Sequence, residues 1–451
     1  MKHLILFAAA LPALALAAPD PATMRDAALT DNVAWDIVEG LTTEVGQRMA
    51  GTEAEARARA WAVVKLKALG FKNVRIETYD MPTWVRGIET AEIVSPFPQK
   101  LVLTALGNSG ATPEGGLTAQ VVYFETIDAL KAARPEDVRG KIAFVDHRMM
   151  RAQDGSGYGP FGAARRQGPS IASKLGAAAI VVRSIGTDSS RAPHTGVQSW
   201  SDGATPIPAA ALSIADSENL ERMLTRKKPV MMKLILTPRQ TGMQQSGNVI
   251  AEVPGTDPSA GIVLIGGHLD SWDLGTGAID DASGVAITTA AAKRILDSGE
   301  KPRRTIRVVW FGAEEVGTFG AIAYEKAHGS EYHALAAESD FGADRVWRFD
   351  VSLPDAAKPL TERLRLALAP LGIQGSNIAA AGGADVAPII KGGASAVELN
   401  QDGTRYFDLH HTPEDTLDKV DKAQLQQNVA AWTAMLAIVA HAPETLGKPK
   451  S

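Results

Sequence analysis

Histidine and acidic residues follow apolar, strand-like runs at several places in the second half of the chain. Five short segments share this feature: 268–270, 280–281, 314–315, 338–340 and 410–412. Imidazole and carboxylate groups are ligands that zinc accepts, and a carboxylate beside a metal can serve as a general base. The sequence contains no cysteine, so any metal must be held by histidine, aspartate and glutamate. Together the five segments supply the nitrogen and oxygen ligands that a zinc site, or a pair of zinc ions, requires.

The first segment is His268-Leu-Asp270, directly after the apolar run 261–267. Residues two apart in an extended segment point the same way. We therefore expect Asp270 to accept a hydrogen bond from the ring of a metal-bound His268 and to fix its tautomer. On its own, a His-x-Asp pattern is weak support for a metal site.

The two acidic pairs also have plainer interpretations. Asp280-Asp281 lies in a glycine-rich turn before a predicted helix, where an aspartate serves as an N-cap. Glu314-Glu315 follows a strand and fits an exposed pair on a loop, since two buried like charges are costly without a cation.

The fifth segment, His410-His411-Thr412, provides adjacent histidines. The remaining histidines have no comparable setting, and we interpret them as ordinary surface or core residues: His3, His147, His194, His328, His333 and His441.

The elements that must position these residues alternate between strand and helix from Asn248 onward. Strands are predicted at 261–267, 305–311, 334–338 and 394–399, and helices at 282–297, 320–328 and 423–441. This alternation is typical of an α/β fold, a mainly parallel mixed sheet with helices on both faces. Functional residues of such sheets lie at the carboxyl ends of the strands.

The middle of the chain has a different sequence pattern, in which short predicted strands are separated by glycine and proline. The runs 119–124, 141–146 and 178–183 are predicted strands. The segments 174–182 and 207–220 resemble parts of a protease-associated (PA) domain. We therefore expect an inserted β-rich PA-like domain at 111–243, within a peptidase-type domain formed by 18–110 and 244–445.

Composition excludes some classes of partner. The net charge of −5 and the pI near 6.0 argue against binding to nucleic acid or to an anionic membrane surface. Lys2, the apolar run 4–16 and the small residues around Ala17 predict a signal peptide at 1–17, cleaved near Ala17. The mature protein is thus expected to be secreted or periplasmic, with no membrane span.

The order and the residues of these motifs resemble those of the co-catalytic di-zinc exopeptidases of the aminopeptidase Y and glutamate carboxypeptidase type. The stretch 266–281, Ala313-Glu-Glu315, Glu338-Ser-Asp340 and His410-His-Thr412 carry this resemblance, which extends over nearly the whole mature chain. It implies the zinc exopeptidase fold, which is phosphorylase/hydrolase-like, and two Zn2+ per chain. It also implies short unblocked peptides as substrates and a homodimer, although the sequence itself indicates no interface.

Roles carried over from this resemblance make His268 and Asp340 the ligands of one zinc ion, and Glu315 and His411 those of the other. Asp280 bridges both, Glu314 is the general base, and Asp270 supports His268. The peptide bond between Asp280 and Asp281 is expected to be cis. Two further residues are candidate substrate contacts, for which a packing role and a turn-capping role are about as well supported: His410 and Asp385.

Other functions remain open at this stage. A catalytically inactive binding protein of the transferrin-receptor type and a single-zinc glutaminyl cyclase share the expected fold. Retention of all five ligands and the base argues against the first, and the Glu314-Glu315 pair with the PA-like insertion argues against the second. The sequence does not decide between aminopeptidase, dipeptidase and carboxypeptidase activity.

Overall fold

The computed structural model describes residues 20–449 of the chain. The predicted signal peptide at 1–17 lies outside the described residues. The strands are β1 Lys72–Val85, β2 Glu89–Ser95, β3 Gln99–Leu101, β4 Leu103–Ala105, β5 Leu117–Phe124, β6 Ile142–Val145, β7 Ala179–Arg183, β8 Ala209–Leu212, β9 Met231–Leu236, β10 Arg239–Val253, β11 Ile262–His268, β12 Thr305–Phe311, β13 His333–Glu338, β14 Val346–Ser352, β15 Gln374–Gly375 and β16 Ser395–Gln401.

The α-helices are α1 Pro21–Ala28, α2 Val33–Gly40, α3 Glu53–Ala68, α4 Ile127–Lys131, α5 Pro135–Val138, α6 Tyr158–Phe161, α7 Ala163–Lys174, α8 Ile214–Leu224, α9 Ser283–Asp297, α10 Phe319–His328, α11 Lys358–Leu368, α12 Ala387–Lys391, α13 Tyr406–Leu409 and α14 Lys422–Val439. There are also two π-helical turns: Leu41–Val45 follows α2, and Ala278–Ala282 precedes α9. Among the described residues, no helix has both the length and the apolar character that a membrane span requires.

The first sheet has eight strands in the order β1-β10-β12-β11-β13-β16-β14-β15. Its centre is parallel, because β12, β11, β13 and β16 all run in the same direction. The strands β1, β10 and β14 add antiparallel pairings at the flanks. The expectation of a mainly parallel mixed sheet is confirmed.

Helices cover both faces of this sheet, as its central strands require. Along β11, Val263 and Ile265 pack in the large core with α9 and α14, whereas Leu264 packs on the opposite face with α10 and α12. Helix α14 is buried along nearly its whole length, in keeping with its apolar sequence on all sides. A sheet buried on both faces leaves its strand ends as the place for polar side chains.

The second sheet also has eight strands, in the order β3-β2-β9-β5-β6-β7-β8-β4. Strands β5 to β8 are parallel, and the rest pair antiparallel. The sequence places the start of the inserted domain at residue 111, but β2, β3 and β4 already belong to this sheet. The composition marks no sharp boundary here, because Pro96 and Pro98 already lie between β2 and β3. The PA-like character of the inserted segment stays a prediction.

Candidate active site

The five segments meet at the carboxyl edge of the first sheet. Strand β11 ends at His268, β12 is followed by the Glu314-Glu315 pair, and β13 ends just before Asp340. Because these strands are parallel, their carboxyl ends lie side by side. The π-helical turn before α9 contributes Asp280, and the loop after α13 contributes His411.

The first cluster forms around the ring of His268. Its Nε2 lies 3.1 Å from Oδ1 of Asp280 and 3.5 Å from Oδ1 of Asp340. Its Nδ1 lies 2.9 Å from the carbonyl oxygen of Asp270. A carbonyl only accepts, so Nδ1 carries the hydrogen and Nε2 faces the two carboxylates. The partner that orients the ring is therefore the Asp270 carbonyl, whereas the Asp270 carboxylate, which the sequence suggested, is 3.7 Å away.

The second cluster forms around His411 in the same way. Its Nε2 lies 2.8 Å from Oε2 of Glu315 and 3.1 Å from Oδ2 of Asp280. Its Nδ1 donates a 3.4 Å hydrogen bond to the carbonyl of Thr195, and burial lowers the pKa of the His411 ring. A neutral ring with its proton on Nδ1 directs an electron pair toward two carboxylates.

The two clusters suit bound cations, because nitrogen and oxygen atoms that accept hydrogen bonds face one another in each of them. Asp280 Oδ2, Glu315 Oε1 and Asp340 Oδ1 are buried without a hydrogen-bond donor. Burial alone would lower the pKa of His268, but the nearby Asp340 carboxylate and hydrogen bonds in the cluster raise it well above its ordinary value. This position therefore attracts positive charge, and histidine and carboxylate together are a donor set that suits zinc.

The number of buried acids leads to the same conclusion. Six carboxyl side chains around this edge are buried: Asp270, Asp280, Asp281, Glu315, Glu338 and Asp385. Buried like charges are strongly unfavourable unless they are neutralised or coordinate a cation. Two groups of side chains could each hold a metal ion: His268-Asp280-Glu315 and His268-Asp281-Asp340. Within each group, the ligand atoms lie within 4.8 Å of one another.

Glu314 lines the open side of the two clusters. Its backbone N–H donates to Oδ1 of Asp270 at 3.1 Å, and the N–H of Glu315 lies 3.3 Å from Oδ2 of the same carboxylate. Asp270 thus positions the glutamate pair through its backbone. Burial raises the pKa of the Glu314 carboxyl to about 8, and the Asp340 carboxylate adds to this rise. Ala313, just before the pair, has a left-handed φ of 57°, a conformation that a residue with a side chain seldom adopts.

Asp281, beside the shared acid, supports the backbone of the site. The Asp280–Asp281 peptide bond is cis, as expected from the sequence. The Asp281 carboxylate accepts from the N–H of His268 at 3.0 Å and from the N–H of Gly284 at 2.9 Å. It therefore links the end of β11 to the start of α9.

Arg48, a residue that the sequence analysis did not identify, holds the loop between these elements. It is fully buried, and its guanidinium donates to the carbonyls of Leu269, Thr276 and Gly277 at 2.6–2.9 Å. Nothing in the local sequence around Arg48 distinguishes it from an exposed arginine.

His410 stacks on His411, with ring centroids 3.6 Å apart. Its Nε2 is 4.0 Å from Oδ2 of Asp280, farther than the corresponding atom of His411. Its Nδ1 lies 3.0 Å from Nε2 of His194. His194, which the sequence analysis interprets as an ordinary surface or core residue, is buried and contacts His410 from the inserted segment.

Asp385 does not reach the open site. Its side chain is fully buried, and its backbone N–H donates to Oε2 of Glu338 at 2.8 Å. Burial, together with the Glu338 carboxylate, raises the pKa of Asp385 well above its ordinary value. A direct contact with substrate stays a prediction that this geometry does not support.

A cleft of about 790 Å³ opens over the clusters. It is lined by residues of the inserted segment and of the domain that contains the first sheet: Tyr158, Arg165, Val197, Asp280, Glu314, Glu315, Gly317, Thr318, Asp340, Phe341, Tyr406, Phe407, His410 and His411. A neighbouring cavity of about 630 Å³ shares Asp340 and Phe341 with this cleft. Its other acidic lining residues are Asp154, Glu338 and Glu398, and among residues 20–449 no lysine or arginine lines it.

Histidines and acids gathered at the strand ends of an α/β sheet form a candidate metal centre of an enzyme. Similar proteins specify the family. Residues 248–436 match peptidase family M28. The chain is 32% identical to carboxypeptidase Q of Bos taurus, covering 92% of this chain and 87% of that protein. It is 26% identical to aminopeptidase YwaD of Bacillus subtilis (strain 168), covering 93% and 86%.

A solved structure shows the same relationship in three dimensions. The crystal structure of a peptidase M28 precursor from Shewanella amazonensis SB2B matches with a TM-score of 0.92 at 47% identity, covering 96% of this chain and 98% of that one. The chain belongs to peptidase family M28, which confirms the family resemblance carried by its motifs.

Proposed function

We propose that the protein is a zinc-dependent exopeptidase that hydrolyses dipeptides or short unblocked peptides. The observation that carries this proposal is the position of Asp280. Its two carboxylate oxygens face different histidines, Oδ1 toward His268 and Oδ2 toward His411, each at 3.1 Å. One carboxylate between two sets of ligands is the arrangement that a pair of metal ions needs.

The residues divide into two sets around this shared acid. His268 and Asp340 would hold one zinc ion, and Glu315 and His411 would hold the other. When bound, the ions lower the pKa of water near them and polarise the carbonyl of the scissile bond. The orphaned oxygens of Asp280, Glu315 and Asp340 support this assignment, since each is buried and lacks a donor.

Glu314 is the proposed general base. Its carboxylate accepts the proton that the attacking water loses, and then donates this proton to the leaving amine. Asp270 fixes the backbone of the glutamate pair through two hydrogen bonds, so that the base keeps its position while it exchanges the proton. His410 and residues of the inserted segment line the same cleft as this base.

The cleft suits a small substrate with charged ends. The inserted segment closes one side with Tyr158 and Val197, and the adjoining acid-lined cavity favours a cationic group. The names of the relatives include both a carboxypeptidase and an aminopeptidase, so the family alone does not give the direction of attack.

The test uses the purified full chain and one unblocked dipeptide. We expect chelation to abolish hydrolysis and added zinc to restore it, with two zinc ions bound per chain by elemental analysis. Glu314→Gln should retain both ions and lose roughly 10²–10⁴-fold in kcat, the usual contribution of a general base. The matched control Glu325→Gln, at an exposed glutamate of α10, should behave as the wild type.

Three results would contradict the proposal. Loss of zinc in Glu314→Gln would make this residue a ligand rather than a base. Two bound zinc ions without cleavage of any dipeptide would favour an inactive binding protein. One bound zinc ion with formation of pyroglutamate from an N-terminal glutamine would favour a glutaminyl cyclase.

A further inference from the structure

His194 and His410 form a buried pair of rings beside the cleft. Nε2 of His194 lies 3.0 Å from Nδ1 of His410, and the two residues are 1% and 5% exposed. His410 follows α13, whereas His194 belongs to the inserted segment, where its backbone N–H donates to Oγ of Ser184 at 2.9 Å. The contact therefore joins the two parts of the chain, and the mechanism described above makes no use of it.

The second nitrogen of His194 indicates which ring donates in this contact. Its Nδ1 is buried and has no hydrogen-bond partner within residues 20–449. A hydrogen on Nδ1, in the charged ring or in the neutral Nδ1–H tautomer, would be a buried donor without an acceptor. Such donors are costly and rare in folded proteins. We therefore place the hydrogen of His194 on Nε2, from which it is donated to Nδ1 of His410.

His410 then carries its own hydrogen on Nε2. A ring nitrogen that accepts a hydrogen bond has no hydrogen, so the hydrogen of a neutral imidazole lies on the other nitrogen. His410 lines the cleft, and its Nε2 lies 4.0 Å from Oδ2 of Asp280, too far for a hydrogen bond. The structure thus places an N–H donor beside the shared acid of the proposed metal site.

The next residue of the inserted loop gives His411 the opposite tautomer. The carbonyl of Thr195 accepts from Nδ1 of His411 at 3.4 Å, so Nε2 of that ring has no hydrogen and faces the carboxylates of the second cluster. The rings of His410 and His411 stack with their centroids 3.6 Å apart, yet one presents an N–H and the other an electron pair. Two consecutive residues of the inserted loop thus give two consecutive histidines different chemistry.

Aromatic neighbours fix the position of the His410 ring. The ring of Tyr406 lies 4.8 Å from it, and the ring of Tyr158 meets it edge-on at 5.5 Å, both measured between centroids. With His411 stacked against it as well, the ring has little room to turn. The N–H on Nε2 is therefore held in place before a substrate enters the cleft.

We propose that His194 is a positioning residue that holds His410 in the Nε2–H tautomer, so that His410 donates a hydrogen bond to the carbonyl oxygen of the bond being cleaved. Negative charge develops on this oxygen when water attacks, and a donor that is already in place stabilises it. His194 acts through His410, since it is almost fully buried and does not line the cleft. This inference rests on the proposed function and gives the inserted segment a part in the chemical step.

Nitrogen NMR of the zinc-free full chain reads the tautomer without any turnover. Ring nitrogens with and without a hydrogen give separate signals, and His410→Phe identifies the signals of His410 by their loss. In the wild type we expect the hydrogen on Nε2. His194→Gln should preserve this tautomer, because the glutamine amide also donates, whereas His194→Leu should leave His410 with a mixture of both. A wild-type His410 with its hydrogen on Nδ1 would overturn the inference.

Hydrolysis of one unblocked dipeptide by the zinc-loaded protein tests the consequence for catalysis. His194→Leu should lower kcat by about 10–100-fold, the range for loss of a hydrogen bond to a charged group. KM should change little, because the charge develops only in the transition state. His194→Gln should recover most of kcat. In the background of His410→Phe, His194→Leu should have no further effect, since its role requires His410.

His147→Leu is the matched control. His147 is another histidine of the inserted segment, and its ring packs on Phe161 with centroids 4.7 Å apart, away from the residues that line the cleft. This variant should keep the kcat of the wild type and the nitrogen signals of His410.

Each contrary outcome has a separate meaning. A loss in His194→Leu that persists in the background of His410→Phe would assign His194 to packing of the loop and overturn the inference. A third zinc ion per chain that His194→Leu removes would make His194, His410 and His411 a metal site, since their ligand atoms lie within 4.8 Å of one another, and would also overturn it. If His194→Leu does not fold, the wild-type spectrum and His194→Gln still decide. Failure of the wild type to cleave any dipeptide would count against the proposed function, and the nitrogen spectrum would still decide the tautomer.

Discussion

Gly284 offers a sensitive test of how the backbone holds the proposed metal ligands. It is the second residue of α9, and its N–H donates to the Asp281 carboxylate. A Cβ atom there would lie 1.8 Å from the carbonyl oxygen of Ser339 and 2.3 Å from Oδ1 of Asp281. Ser339 precedes Asp340 and Asp281 follows Asp280, so Gly284→Ala pushes on two proposed ligands.

The expected magnitude follows from these distances. Ordinary contact begins at 3.4 Å, so an increase from 1.8 Å to 3.4 Å requires about 1.6 Å of movement by a backbone carbonyl or by α9. Overpacking of this kind costs about 1–3 kcal/mol, and we take the upper end because no flexible side-chain end absorbs the clash. Alanine regains up to about 1 kcal/mol of helix preference over glycine. We therefore expect a net loss of about 2 kcal/mol in stability.

The assay combines thermal unfolding, followed by circular dichroism, with zinc content after dialysis. Gly284→Ala should melt at a lower temperature and bind less zinc than the wild type. The control is Gly159→Ala, where a Cβ atom meets nothing within 4 Å and the backbone is helical. If Gly284→Ala melts like the wild type and retains two zinc ions, the reasoning from backbone contact is refuted.

Two further predictions concern a ligand and a buried histidine. Asp280→Asn should lose zinc together with activity, as elemental analysis would show, and retention of two zinc ions would contradict the bridging role. Burial lowers the pKa of His333 to about 4. Below pH 6.5 the unfolded state therefore binds a proton at this residue more tightly than the folded state does. The free energy of unfolding should fall as the pH drops from 6.5 toward 4, by up to about 3 kcal/mol. His333→Gln should flatten this part of the melting-temperature profile between pH 6.5 and 4; an unchanged profile would show that His333 does not cause it.

The sequence predicted the peptidase sheet well because its elements are long and their periodicity is strong. The helices expected at 282–297 and 423–441 are observed as Ser283–Asp297 and Lys422–Val439. The placement of acids after strands was equally informative, because parallel strands bring their carboxyl ends together whatever lies between them in sequence. That rule alone places His268, Glu315 and Asp340 at one edge.

The rest of the site depends on contacts that no local pattern encodes. His194 contacts His410 from the inserted segment, and Arg165 of the same segment lines the cleft. Their hydrogen-bond partners lie 216 and 30 residues away in sequence. Asp385 is a second case: the sequence left a substrate contact and a turn-capping role equally open, and the structure buries the side chain and bonds its backbone N–H to Glu338. Periodicity reports which face of an element is buried, and it does not report which loop of another sheet covers it.

The inserted segment therefore does more than narrow the cleft. The single carbonyl of Thr195 orients the His411 ring through Nδ1 and the Arg165 guanidinium through Nη1. A shift of this loop would move a proposed metal ligand and a buried arginine of the cleft wall together, because both groups share one acceptor. This contact gives the second sheet a part in orienting a proposed ligand that lies at the edge of the first sheet.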